Sequence, residues 1–98
     1  MLLLVDLDGV VYRASEPVPG VGALLAARVA AGDEVVYVTN NAMHHLAEYV
    51  PRLAGHGAPV APERVVTSAR GTALHLRAHE PQVRRVLAVG AGGLGPEL

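Results

Sequence analysis

Four short apolar runs constrain the fold more than any other feature of this chain. They cover residues 2–7, 34–39, 64–67 and 85–90, and three of them are rich in valine. None alternates strictly between polar and apolar residues. Each therefore suits a strand covered on both faces, as in a parallel sheet. Between them lie segments with helical spacing. In residues 20–31, Val21, Leu24, Leu25 and Val29 share one stripe, and Gly32 supplies a C-terminal stop. In residues 42–54, Met43, Leu46, Ala47, Val50 and Leu53 recur at helical spacing, with Pro51 predicted to kink or split the helix. Residues 69–79 predict a third helix, with Ser68 as N-cap and Pro81 blocking continuation. The alternation predicts an open α/β sheet with right-handed crossovers and helices on both faces. At 98 residues there is room for one domain.

Composition narrows the function. Hydrophobic residues make up 51% of the chain and charged residues 17%, which argues against disorder. The net charge of -1 offers no general attraction to nucleic acid or anionic membranes. Three Tyr with no Phe or Trp make no platform for stacking bases. Neither nucleic acid nor membrane is therefore expected as a partner. Cysteine is absent, which excludes disulfide scaffolds, zinc-thiolate sites and cysteine catalysis. The apolar opening is interrupted at once by Asp6 and Asp8, too early for a signal peptide or a membrane span. The expectation is a cytoplasmic domain.

In such a sheet, ligands bind beyond the carboxyl ends of the strands. The first run delivers Asp6, Asp8 and Gly9 there, and the second delivers Thr39, Asn40 and Asn41. Two carboxylates at the end of a buried strand are costly unless paired or bound to metal. In a regular strand, residues i and i+2 share a face, and Gly9 lets the chain turn sharply afterwards. The pair suits a hard cation such as Mg2+. It also suits phosphoryl transfer, with one Asp attacking and the other handling protons. An ordinary turn and a calcium loop use the same pattern, although an EF-hand needs more ligands at fixed spacing. A hydroxyl, amides and free N–H groups at 39–41 can make an anion site at a helix start, although taken alone the pattern more often marks a plain cap. The two motifs end consecutive strands, and together they outline a metal-plus-phosphate pocket.

The run DLDGVVYR, followed after one helix by VYVTNN, resembles the haloacid dehalogenase (HAD) superfamily, and more closely its nitrophenylphosphatase and phosphoglycolate phosphatase-like branch. The spacing, the Pro17-x-Pro19-Gly20 entry to the first helix and the later VVTSA segment fit that branch. The resemblance implies a partial HAD-like, Rossmann-like core spanning residues 1–98, the N-terminal part of a longer phosphatase whose cap domain and second core half are absent. It implies Asp6 as nucleophile and Asp8 as acid and then base. Mg2+ would be held by the Asp6 side chain and the Asp8 backbone carbonyl. Thr39 and Asn40 would hold the phosphoryl group, with Asn41 at the same turn. Gly9 and Val10 would lie beside the pocket, and the following loop would be a flap. The implied substrate is a small phosphorylated metabolite.

Departures from the family pattern shape the expectation. Ala42 stands where a Ser is common. Every cation of the chain is Arg, so the family's later Lys is missing, and no Asp follows Asp33 to supply its later acidic motif. The isolated chain is therefore expected to be inactive. It is also expected to self-associate as a homo-oligomer or aggregate, because a partial sheet exposes edges.

Other patterns remain. Residues 90–95 fit GxGxxG after an apparent strand, as a nucleotide cradle or a glycine-rich turn. This, with the missing Lys, keeps a non-catalytic phosphate- or nucleotide-binding α/β module as the alternative. A receiver domain would need its acceptor Asp on a later strand. His75 and His79 have i, i+4 metal spacing but no third ligand. His44 and His45 start the helix after the turn, Ser68 has no base partner, and Arg13 is placed either to steer an anion or to lie on the surface.

Overall fold

The structure is a computed structural model that describes residues 1–41, 46–58, 60–90 and 94–97. Strands β1 (Leu2–Asp6), β4 (Glu34–Thr39) and β5 (Val65–Thr67) form a three-stranded parallel sheet in the order β1-β4-β5. The predicted runs at 2–7, 34–39 and 64–67 thus become the sheet. The register sets Leu2 beside Glu34 and Asp6 beside Val38, and on the other side Thr39 beside Thr67. All three strands therefore end at one edge. Between β1 and the first helix lies a small antiparallel hairpin, β2 (Tyr12–Arg13) with β3 (Glu16–Pro17).

Helix α1 (Val21–Ala30) lies along β4, and helices α2 (Leu46–Gly55) and α3 (Ser68–His79) pack on β5. Gly32 does end α1: at φ 98° it lets the Gly32 and Asp33 amides donate back to the Val29 and Arg28 carbonyls. Helix α2 is not split at Pro51 and runs through it; its expected residues 42–45 lie outside the described part. The α3 cap is Thr67, not Ser68. Thr67 has extended backbone, and its hydroxyl accepts the Arg70 N–H at 3.0 Å.

The core joins Leu7, Val11, Leu25, Val35, Leu53 and Val65 with Tyr12, Tyr37 and Tyr49. With no Phe or Trp in the chain, the three tyrosines are its largest fully buried side chains. Glycine at position 22 is required by contact. A Cβ there would sit 2.2 Å from the His56 carbonyl oxygen, where α1 crosses the chain leaving α2.

Two expectations are corrected. Residues 85–90 form no strand. They pair with no strand among the described residues, and Leu87 and Val89 are 91% and 83% exposed. A strand is made by its ladder partners, and an apolar run alone does not supply them. Short helix α4 (Leu94–Glu97) follows and rests on α3. Nor is β1 covered on both faces: Leu2 and Leu4 are 55% and 69% exposed.

Leu2, Leu4, Leu87 and Val89 together give the chain a sticky exterior. We expect its mass in solution to rise with concentration. Light scattering checks this, and a constant monomer mass over a hundredfold dilution range (roughly) would contradict it.

Asp33 closes the far end of the sheet. Its carboxylate accepts from the Met1 amino group at 3.0 Å and pairs with Arg28 at 2.5 Å. The hydrogen bond from the Met1 amino group, aided by Arg28, holds this carboxyl below the usual range. A depressed folded-state pKa contributes stability above the unfolded carboxyl's pKa, which is lost as pH falls through the folded value. Thermal melts should therefore show a weaker acid limb in Asp33→Asn than in the parent. Identical acid limbs would contradict this.

Candidate active site

The site is built at the carboxyl edge of the sheet. Asp6 is the last residue of β1, exposed, and its Oδ1 accepts the Leu7 N–H at 2.8 Å. That bond fixes the carboxylate against its own backbone and leaves Oδ2 for other partners. Leu7 then plunges into the core, fully buried. Its carbonyl receives the N–H groups of Val10, Val11 and Tyr12 at 3.2, 3.0 and 3.4 Å. The chain thus winds a tight loop at once after the strand, with Asp8 and Gly9 exposed on it. Gly9 adopts φ 80°, a left-handed conformation that a side chain would strain. The Gly9 N–H donates to the Tyr12 carbonyl at 2.7 Å, closing the loop.

One strand over, Thr39 ends β4 with its side chain buried. Its hydroxyl accepts the Asn41 N–H at 3.1 Å. Asn40 is exposed, and its carbonyl accepts the Ser68 hydroxyl at 3.0 Å, tying the start of α3 to the turn. The Asn41 carbonyl accepts the Tyr49 hydroxyl at 3.4 Å. Because Asp6 pairs with Val38, the residue before Thr39, the register brings Asp6, Thr39 and Asn40 to neighbouring strand ends.

Three residues outside the predicted site set lie close to the aspartate loop: Tyr12, which the DLDGVVYR run contains without assigning it a role, and Tyr49 and Arg52, which no motif announced. Burial pushes the Tyr12 phenol up to about 12; the Arg52 charge opposes the rise, and Asp8 and Asp6 add to it. Tyr49 is raised by burial first and by Asp8 next. Both aspartates are therefore felt electrostatically beneath the loop. Spacing could have offered only the helical recurrence of Tyr49 and Leu53.

The donors suit a hard cation. Asp6 and Asp8 are both exposed and offer carboxylate oxygens. Among the described residues, no three His, Cys, Asp or Glu side chains gather to cage a metal. That donor set fits Mg2+, which takes one or two carboxylates and fills its octahedron with water and phosphate oxygens.

Arg13 is exposed on the hairpin. His75 and His79 stack at 4.7 Å on exposed positions of α3. Gly90 is an exposed bend, while 91–93 of the glycine motif, His44, His45 and Ala42 lie outside the described residues. Two cavities, of about 260 and 310 Å³, sit elsewhere, one between α3 and residues 80–86 and one beside Val29 and Arg64. No described helix is long and apolar enough to cross a membrane.

A strand-end aspartate pair beside a Thr-Asn turn on a parallel sheet defines a class, and sequence comparison names it. The chain belongs to the haloacid dehalogenase-like hydrolases, whose family pattern matches residues 3–98. Within that class it is similar to a 4-nitrophenylphosphatase of Schizosaccharomyces pombe, 27% identical over 99% of this chain and 33% of the relative. It is 36% identical to a glycerol-3-phosphate phosphatase of Gallus gallus, over 98% of this chain and 31% of the relative. Among solved structures, a hypothetical protein from Pyrococcus horikoshii superposes with a TM-score of 0.84 at 27% identity, over 99% of this chain and 37% of that one. A 4-nitrophenylphosphatase from Thermotoga maritima gives 0.70 at 31%, over 80% and 30%. The nitrophenylphosphatase branch indicated by the DxDGV and TNN motifs is thus the right one. The chain spans about a third of the length of the curated relatives it matches.

Proposed function

We propose that this chain carries the nucleophile-bearing part of a Mg2+-dependent phosphate-monoester hydrolase, acting in the cytoplasm on a small phosphorylated metabolite. The observation that carries the reading is the β1–β4 register, which sets Asp6 and the Thr39–Asn40 turn at adjacent strand ends. One Asp6 oxygen attacks phosphorus as the ester P–O bond breaks, and the Asp8 carboxyl gives its proton to the departing alcohol. An aspartyl-phosphate forms on Asp6. Asp8 then takes a proton from the water that attacks this phosphorus, the Asp6–phosphorus bond breaks, and phosphate leaves. The Thr39 hydroxyl, its oxygen already accepting from Asn41, has its proton to donate to a phosphoryl oxygen. Asn40 and Asn41 add amide donors at the same turn. Mg2+, held by Asp6 and the Asp8 carbonyl, would neutralise phosphoryl charge.

The chain contains no Lys and no Asp beyond Asp33. It therefore lacks the groups that steady the charged intermediate and complete the metal site. We propose that it forms part of a larger core and turns over little or nothing alone. Mg2+ with orthovanadate should raise its melting temperature, whereas NAD should not. The reverse pattern would assign it instead as a nucleotide-binding module.

A further inference from the structure

We propose that Arg52 latches the β2–β3 hairpin onto α2 and is thereby a positioning residue for the Asp6–Asp8 loop. The site role rests on the phosphatase reading, whereas the latch itself does not. The Arg52 guanidinium carbon stands 3.9 Å from the centroid of the Tyr12 ring. The same guanidinium donates to the Ala14 carbonyl in the hairpin turn. One side chain thus grips both the first strand of the hairpin and its tip. His56, one helical turn further, packs its ring 5.8 Å from that of Tyr12.

The hairpin needs such a hold. Two residues per strand cannot sustain themselves in water. Its turn also places Ala14 at φ 52°, which is unfavourable for any residue with a Cβ. Tyr12 links the latch to the site. Its carbonyl accepts the Gly9 N–H, and its own N–H reaches the Leu7 carbonyl. Asp8 is bridged to it. A shift of Tyr12 therefore shifts the loop that bears Asp8. A phenol is neutral near pH 7, and burial raises the Tyr12 pKa further, so the grip is a cation over an aromatic face rather than an ion pair.

Amide hydrogen exchange on the full 98-residue chain tests the latch. In Arg52→Ala, the Gly9 and Tyr12 amides, and that of Val18, which closes the hairpin base onto the Val11 carbonyl at 2.9 Å, should exchange roughly tenfold faster while β4 amides keep their rates. Arg52→Lys should recover most of the protection. Unchanged hairpin rates, or acceleration spread evenly over β1, β4 and β5, would overturn the latch. Affinity for Mg2+–orthovanadate should fall roughly fivefold in Arg52→Ala and return in Arg52→Lys. A loosened hairpin with unaltered affinity would overturn the positioning role. If the parent chain binds no Mg2+–orthovanadate, the phosphatase reading fails instead, and the exchange rates alone decide the latch.

Discussion

Asp6→Asn is expected to abolish the Mg2+-dependent part of orthovanadate binding. The substitution keeps the shape of the side chain and its acceptor for the Leu7 N–H, so the fold is spared. It removes one of two carboxylates that draw a divalent cation to the strand ends. Close charge pairs couple by about 1.5–7 kcal/mol, and each 1.4 kcal/mol or so is tenfold in affinity. A loss of about tenfold at the least follows. The sign without metal runs the other way. Two carboxylates repel a vanadate anion, so the parent chain should bind almost none in chelator, and Asp6→Asn should bind no less. The signature is thus loss of the metal dependence, read by thermal shift with and without Mg2+. Equal Mg2+-dependent shifts in parent and variant would remove Asp6 from the site.

Among the described glycines, Gly22→Ala should produce the largest steric loss of stability. Alanine is favoured over glycine inside a helix by about 1 kcal/mol, so an open position in α1 would be stabilised. Position 22 is closed. The new Cβ would meet the His56 oxygen at 2.2 Å and the Gly57 carbonyl carbon at 3.2 Å, both backbone atoms that no rotamer can move aside. Helix α1 must back away from the turn after α2, opening the core around Leu25 and Leu53. Overpacking of this kind costs about 1–3 kcal/mol, and here exceeds the gain in propensity. A melting temperature lower by roughly 5–10 °C is expected for a domain of this size. A variant as stable as the parent would show that α1 and the α2 exit do not pack this closely.

Much of the sheet and of the candidate site is legible in the sequence because both are written locally. The runs that became β1, β4 and β5 are continuous and valine-rich, and Gly32 marks the end of α1 by its own backbone freedom. Asp6 and Thr39 end strands, and Asp8 and Asn40 come just after them, where a parallel sheet presents ligands. The failures have a shared cause, which is dependence on distant partners. Residues 85–90 have strand composition without a ladder neighbour. The β2–β3 hairpin lies in residues 10–19, where two-residue strands leave no period to detect. Arg52 is 40 positions from Tyr12 in sequence, and only folding brings its charge over that ring. The α3 cap was missed by one residue because Ser68 turns its hydroxyl to Asn40, leaving Thr67 to hold the helix start.

The proposed hydrolysis requires a phosphoryl group and a divalent cation to meet between the ends of β1 and β4. Amide chemical-shift mapping with Mg2+ and beryllofluoride reports on that corner directly. The predicted result is a compact set of perturbed amides at Leu7, Asp8, Gly9, Asn40 and Asn41, absent in Asp6→Asn. Perturbations centred on Gly90 and Gly95, or a pattern that survives Asp6→Asn unchanged, would contradict it.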